Sequence, residues 1–448
     1  MGKVKPILLS AMVVLCYYAK AQQAGGQVVM QPDSALLRQM EQNAADIKEL
    51  KSKVTKMGWG TISFSGYAHF QYVASFAKER VWPEAFITTY GDVFTPEMNN
   101  RLQIRRSRLK MTYANGPVIL VIQPEFSEKK VDIKDIFVNL GTRNGVLGFR
   151  MGLFDRPFGY EIGYSSPNRQ AAERSRTINA ILPYYRDVGA EVRLAGPGES
   201  FLSQFTLHAG VFNGNGISAE TDSYKDFIGR LAWLKKFGRT ELGAAYSHYY
   251  GTIYGGTMRD QTHNRYVYRP DEGFQKREVT ETHRRQYSGF SAKLTQDWGI
   301  GRTLFMTEWM VGEQPSSGQR FGSSIGRGFN ELSNIYLRNF VGGYAYLVQN
   351  IANSKHSLLL KFDYLDPNTR VAGNSIGVAA PGYFAATGAD IAYTTYSVGY
   401  VYDFSHYLRF LVQYDIVRSE ESVNLSGYRP GDRFNKDILT FRIQVRYP

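Results

Sequence analysis

From Gly60 to the C-terminus, apolar and polar side chains alternate with a period of two. In Thr61–Tyr72 the even positions are apolar or small, apart from the terminal tyrosine, and the odd positions are mostly polar. The segments 187–194 and 439–447 repeat the pattern. Such alternation indicates strands with one apolar and one polar face, and the first of them is longer than most strands of globular proteins. The chain is therefore predicted to form an all-β domain with long strands.

About sixteen alternating segments can be placed in this part of the chain. A strand of about ten residues, followed in turn by a short connection and a longer one, fits their spacing. Fourteen or eighteen strands are also compatible, because 304–312 and 339–348 carry apolar residues in both registers. The predicted strands begin near Ile62, Leu102, Val118, Ile133, Val146, Val188, Ser203, Phe227, Leu242, Tyr287, Thr303, Phe340, Leu358, Tyr393, Leu408 and Ile438.

The charge of the polar faces separates the possible β architectures. A soluble sandwich or propeller would bury Arg442, Arg446 and the basic segment 101–110 in a dry core, at high cost. In a wide barrel these side chains can face water in the lumen while the apolar face meets lipid. Residues 59–448 are therefore predicted to form a transmembrane antiparallel β-barrel of about 16 strands. Tyrosines near predicted strand ends suit the membrane interface; they are Tyr246, Tyr249, Tyr250, Tyr396, Tyr400, Tyr402 and Tyr407.

Residues 1–21 have the features of a secretory signal peptide. Lys3 and Lys5 precede the mostly apolar run 7–18, and Ala19 and Ala21 form a small-x-small cleavage site. The only cysteine, Cys16, lies within this segment. The predicted location is thus the outer membrane of a Gram-negative cell, reached after signal cleavage, and nucleic acid is an unexpected partner there.

The segment 22–58 contains the one strongly helical pattern, over 33–57. Its apolar positions are spaced alternately by three and four residues, which is a short heptad seam. Two interpretations stay open: a periplasmic amphipathic helix, or a small coiled coil that joins identical chains. The seam consists of Leu36, Met40, Asn43, Ile47, Leu50, Val54 and Met57.

Basic residues outnumber acidic ones, with Lys+Arg 53 against Asp+Glu 40. Many of them fall on predicted inward faces, and rings of Arg or Lys favour anions in a water-filled pore. In the alternative interpretation they pair with acidic wall residues such as Asp135 and Glu191. The parity of the arginines changes between Arg105 and Arg106, which requires a bulge or a strand end. The predicted pore-lining, anion-binding residues are Arg105, Arg106, Arg108, Lys110, Arg150, Arg186, Arg193, Arg230 and Arg442.

The connection 155–186 is too long for a tight turn. Connections of this length are uncommon unless they are functional. It is rich in arginine, and in a wide barrel such a loop can fold inward and set the size limit for solutes.

The seven histidines of the chain are the residues most suited to catalysis or metal binding. No histidine stands in an H-E-x-x-H or similar metal-ligand spacing. The sequence therefore predicts neither an enzyme nor a bound metal or cofactor.

Several motifs together resemble the phosphate-selective porins, the porin O/P family. They are Gly152-Leu-Phe-Asp-Arg-Pro-Phe-Gly-Tyr-Glu161, Glu173-Arg174-Ser175, Pro183-Tyr-Tyr-Arg186-Asp187-Val-Gly189 and Ile104-Arg105-Arg106. The resemblance covers most of the mature chain. It implies a sixteen-stranded, trimeric, anion-conducting barrel with arginines along the lumen and a lysine cluster at the constriction. The long loop of this chain carries arginines in place of that cluster.

The predicted function is passive diffusion of small hydrophilic solutes through a homotrimeric porin embedded in outer-membrane lipid. Small anions, phosphate among them, are the expected preferred solutes. Two alternatives remain: a specific channel for oligosaccharides, in which some of the 31 tyrosines would offer stacking surfaces, and a non-conducting structural barrel.

Overall fold

The computed structural model describes residues 60–76, 98–128, 130–182, 185–218, 220, 222–254, 266–270, 272–276, 282–318, 321–322, 334–378, 386–425 and 437–447. The elements are β1 (Thr61–Ser75), β2 (Asn100–Asn115), β3 (Val118–Phe126), β4 (Val131–Gly141), β5 (Leu147–Asp155), α1 (Arg176–Ile181), β6 (Arg186–Ala195), β7 (Phe205–Phe212), β8 (Asp226–Phe237), β9 (Thr240–Tyr254), β10 (Tyr266–Arg269), β11 (Gly273–Lys276), β12 (Thr282–Trp298), β13 (Gly301–Ser316), β14 (Ile335–Asn350), β15 (His356–Asp366), β16 (Tyr393–Asp403), β17 (Leu408–Ser419) and β18 (Ile438–Tyr447).

Sixteen of these strands close into an antiparallel transmembrane β-barrel, which confirms the predicted fold class. Each wall strand pairs with the next wall strand along the chain, and β1 pairs with β18 to close the wall. Closure leaves no exposed sheet edge. Strand β9 pairs directly with β12, so the short hairpin β10–β11 between them lies outside the wall. The sequence pattern did not predict this hairpin, whose first strand pairs in parallel with the start of β14.

Side chains alternate between the outer wall and the lumen, as the period of two requires. In β1, Phe64 and Phe70 are exposed on the outside, whereas His69 and Gln71 are buried inside. Apolar side chains on the outer face suit contact with lipid, and the polar inner face suits a water-filled or packed lumen.

The two ends of the barrel differ in the length of their connections. Short turns at one end join β2 to β3, β8 to β9 and β12 to β13, across 116–117, 238–239 and 299–300. At the other end long segments join β5 to β6 and β15 to β16, across 156–185 and 367–392. None of the described helices is long and apolar enough to cross a membrane.

Two departures from regular alternation bring extra charged side chains into the lumen. The register between β3 and β4 shifts at Gln123/Pro124, and the neighbours Lys134 and Asp135 are both buried. Pro124 has no N–H to donate to the ladder, which suits it to this bulge. In β2, Ile104 is exposed outside whereas Arg106 is buried inside, so the parity change predicted for this strand is present.

Strands β13 and β14 carry apolar residues on both faces, which explains the ambiguous registers of their sequences. Their inner residues Met306, Met310 and Tyr344 are buried against residues of the 156–185 connection, including Phe158 and Ala171. An inner face that packs against protein needs the same residue types as an outer face that packs against lipid.

Of the seven tyrosines predicted for the membrane interface, five are exposed, Tyr402 is half-buried and Tyr249 is buried. Tyr246, Tyr250, Tyr396 and Tyr407 lie on the outside, but Tyr249 is fully buried in the lumen. The prediction that Tyr249 lies at the membrane interface was wrong, because adjacent strand residues point to opposite faces and its neighbour Tyr250 points outward. The signal peptide 1–21 and the periplasmic helical segment 22–58 lie outside the described residues.

Candidate functional site: the lumen and its loop

The segment 156–182, called here the lumen loop, crosses the interior of the barrel. Its backbone N–H groups bond inward side chains from well-separated strands. The N–H of Gly159 donates to Ser247 Oγ on β9 at 3.0 Å, that of Ala172 to Gln413 Oε1 on β17 at 2.8 Å, and that of Arg176 to Asp363 Oδ2 on β15 at 2.8 Å. The loop predicted to be able to narrow the lumen therefore does lie within it.

Glu308 of β13 fixes the first turn of the lumen loop. Its Oε2 accepts hydrogen bonds from the backbone N–H groups of Tyr160 and Glu161 at 2.9 and 3.1 Å. The turn requires a φ of +61° at Gly159, a left-handed conformation that glycine adopts at little cost. A side chain at position 159 would also meet the Glu308 carboxylate.

Glu173 is the centre of an ion-pair network in the middle of the lumen loop. Its carboxylate pairs with Arg105 at 2.9 Å, Arg106 at 2.9 Å and Arg442 at 2.8 Å. Burial opposes ionisation of this carboxyl, but the three guanidinium groups hold the pKa of Glu173 well below its ordinary value. One loop carboxylate thus connects β2 and β18 across the closure of the barrel.

Two more of the predicted pore-lining arginines are also buried in ion pairs. Arg108 pairs with Glu125 of β3 at 2.5 Å, and Lys134 approaches the same carboxylate at 3.2 Å. Arg186 pairs with Asp135 at 2.8 Å and with Asp155 at 3.1 Å.

Four other predicted site residues form no ion pair with an acidic side chain among the described residues. Arg150 donates to Asn139 Oδ1 at 2.8 Å, and its guanidinium lies 4.8 Å from the centre of the Phe137 ring. The guanidinium of Arg230 lies 5.1 Å from the Tyr160 ring centre, with its buried Nε unbonded. Neither Lys110 nor Arg193 forms an ion pair within the described part of the chain.

A cavity of about 460 Å³ lies between the start of the lumen loop and the wall formed by β5–β8, β12 and β13. Arg150 and Arg230 both line it, together with Tyr160, Glu191 and Lys293. Glu191 pairs with His208 at 2.6 Å, and Lys293 pairs with Glu241 at 2.7 Å. The two arginines therefore add positive charge to this cavity without forming an ion pair with a described carboxylate, and Glu191 and Glu308 act on Arg230 from a longer distance.

The acidic residues that hold the loop were missed by the sequence reasoning. Glu308 and Asp363 are buried on inner faces of β13 and β15, and Glu125 on β3 pairs with Arg108. A signal for them existed, since a carboxylate at an inward position among apolar neighbours is costly without a partner. In the described residues, no group of three or more His, Cys, Asp or Glu could hold a metal ion.

Comparisons with known proteins find relatives at the level of structure. No family model matches the chain, and no curated protein matches it. The outer membrane channel DcaP of Acinetobacter baumannii is similar with a TM-score of 0.50 and 9% identity, covering 86% of this chain and 97% of that one. A loop L8 deletion mutant of OmpT, an outer membrane protein of Vibrio cholerae, is similar with a TM-score of 0.48 and 12% identity, covering 87% of this chain and 100% of that one. A mutant Rh. blastica porin is similar with a TM-score of 0.42 and 10% identity, covering 86% of this chain and 100% of that one. The likeness to DcaP shows the fold.

Proposed function

We propose that this protein is an outer-membrane porin that lets small hydrophilic solutes diffuse passively through its barrel. The observation that carries the proposal is a closed sixteen-stranded barrel with a lipid-compatible outer face, a polar inner face and its own loop across the lumen. A loop in that position limits the width of the path and so sets an upper size for the solute. The structural likeness to an outer membrane channel is compatible with this proposal.

The channel prefers anions in this proposal, because some lumenal cations have no acidic partner. Arg150 and Arg230 line the same cavity, where their field attracts anions and repels cations. The buried arginines paired with Glu173, Glu125 and Asp135 instead hold the loop and wall together. Selectivity is thus assigned to the cations without acidic partners, and the paired ones are assigned a structural role.

The finer assignments rest on the sequence. Similarity of the loop motifs to the phosphate-selective porins supports phosphate as one of the transported anions and a homotrimer as the assembled form. The signal sequence supports export to the outer membrane of a Gram-negative cell.

Planar-bilayer recording of the purified protein tests the proposal. In a gradient of potassium chloride we expect a reversal potential that corresponds to a higher permeability for chloride than for potassium. A preference for potassium would contradict the anion assignment, and an absence of conductance would contradict the porin assignment. Block of the current by oligosaccharides would favour the specific sugar channel. Tyr249, Tyr287 and Tyr344 are buried under the loop and offer no stacking surface, whereas Tyr160 lines the cavity.

A further inference from the structure

Arg169, in the middle of the lumen loop, is buried and forms no ion pair with an acidic side chain in the described part of the chain. Arg169 is only 2% exposed, and its Nε donates to the backbone oxygen of Ala171 at 3.3 Å. Neither terminal nitrogen, Nη1 or Nη2, has a hydrogen-bond partner in the described part of the chain. A buried guanidinium normally has its donors satisfied, so this group needs an explanation.

A second buried arginine beside it has a free donor as well. Arg174 interacts electrostatically with Arg169 and is also 2% exposed. Its Nε donates to the Glu161 carbonyl at 3.0 Å and its Nη2 to that of Ile162 at 3.1 Å, but its Nη1 has no partner in the described residues. Its guanidinium stacks 4.0 Å from the centre of the Tyr185 ring, which fixes its position.

The acidic groups near these two arginines are already engaged. The carboxylate of Glu161 accepts from Ser175 N at 2.9 Å and from Ser175 Oγ at 2.7 Å. The carboxylate of Glu173 is shared by Arg105, Arg106 and Arg442. Glu161 and Glu173 are the two carboxylates that act on Arg169, and the charge of Glu173 is shared with three other arginines.

Neither loss of a proton nor water alone removes the surplus positive charge. Arginine stays protonated in proteins, and an uncompensated buried charge is strongly unfavourable. A water molecule would satisfy the free donors without balancing the charge. A small anion would do both, and a monovalent one loses the least hydration energy on burial.

We propose that Arg169 and Arg174 bind a small monovalent anion of the halide class beneath the lumen loop. The anion accepts hydrogen bonds from Nη1 and Nη2 of Arg169 and from Nη1 of Arg174. It holds the loop in place and is distinct from the solutes that pass through the channel. The proposal does not depend on the selectivity of the pore, because neither Arg169 nor Arg174 lines the cavity that holds Arg150 and Arg230.

Bromide provides a direct test with the full-length wild-type protein. Crystals grown in sodium bromide, measured at the bromine absorption edge, are expected to show an anomalous peak within hydrogen-bond distance of the Arg169 guanidinium. Ordered density there without an anomalous signal would identify water and overturn the proposal. A site with no density at all would overturn it as well.

Two variants extend the test. Arg169→Met keeps much of the side-chain volume and removes the charge, so the bromide peak is expected to disappear. Arg239→Met, in the exposed turn between β8 and β9, removes the same charge elsewhere, and the peak is expected to remain. A peak that persists in Arg169→Met would contradict the assignment. If Arg169→Met does not fold, the wild-type diffraction result decides the proposal by itself.

Discussion

At the scale of single residues, the lumenal arginines fall into two groups that the sequence cannot separate. Arg106 and Arg108 are buried and paired with Glu173 and Glu125. Arg150 and Arg230 line an open cavity and form no ion pair with a described carboxylate. A charge that borders the aqueous path acts on a passing ion more strongly than one neutralised inside the wall.

The double variant Arg150→Ala/Arg230→Ala is therefore expected to lower the ratio of chloride to potassium permeability toward one. Reversal potentials in a potassium chloride gradient measure this ratio. The matched variant Arg106→Ala/Arg108→Ala removes the same number of positive charges from the buried group and should change the ratio less. A larger effect in this second variant would show that the buried pair, and not the cavity pair, controls selectivity.

Glu173 should be the single loop residue whose neutralisation destabilises the lumen most. Glu173→Gln removes the carboxylate that pairs with buried Arg106 and Arg442, and breaking a buried pair costs about 3–5 kcal/mol. Part of that cost is recovered at Arg105, which is partly exposed and can be hydrated. We expect a lower temperature for the heat-induced change in gel mobility and noisier single-channel currents.

Glu199→Gln is the control for that substitution. Glu199 is exposed in the connection between β6 and β7, so the same chemical change there should leave both the transition temperature and the current noise as in the wild type. Equal behaviour of the two variants would exclude the network at Glu173 as a stabilising element.

At the scale of the elements, the position of the lumen loop depends on one glycine turn. Gly159→Ala places a side chain against the Glu308 carboxylate and in a left-handed conformation that costs about 1–2 kcal/mol. We expect the start of the loop to move away from β13 and the single-channel conductance to change.

Gly163→Ala lies in the same loop and supplies the comparison. A methyl group at Gly163 would meet no atom within 4 Å, so its conductance should match that of the wild type. If both variants conduct alike, the contact with Glu308 does not determine where the loop lies.

At the scale of the whole molecule, the predicted homotrimer can be tested through the heptad segment 33–57. Cross-linking in mild detergent is expected to give trimers of the full chain, because wide diffusion barrels associate side by side. If the segment forms a coiled coil, its deletion should reduce the trimer fraction while the barrel stays folded. Monomers alone from both proteins would contradict the trimer, and an unchanged trimer fraction would favour the single amphipathic helix.

The sequence by itself determined the architecture, because a lipid-facing and a lumen-facing surface impose alternation on every wall strand. All sixteen wall strands, the parity change at Arg105/Arg106 and the importance of the 155–186 connection could be read from it. Alternation shows which face a side chain occupies but not what it meets there.

Only the tertiary structure decided which arginines are neutralised, since their partners lie far away in the chain. Glu173 of the lumen loop pairs with Arg442 of β18. Asp135 pairs with Arg186, and it lies next to the register shift between β3 and β4. The path of the loop was likewise fixed by contacts with β9, β13, β15 and β17. Such contacts depend on strand register and on chain closure, which bring together residues that local sequence patterns cannot relate.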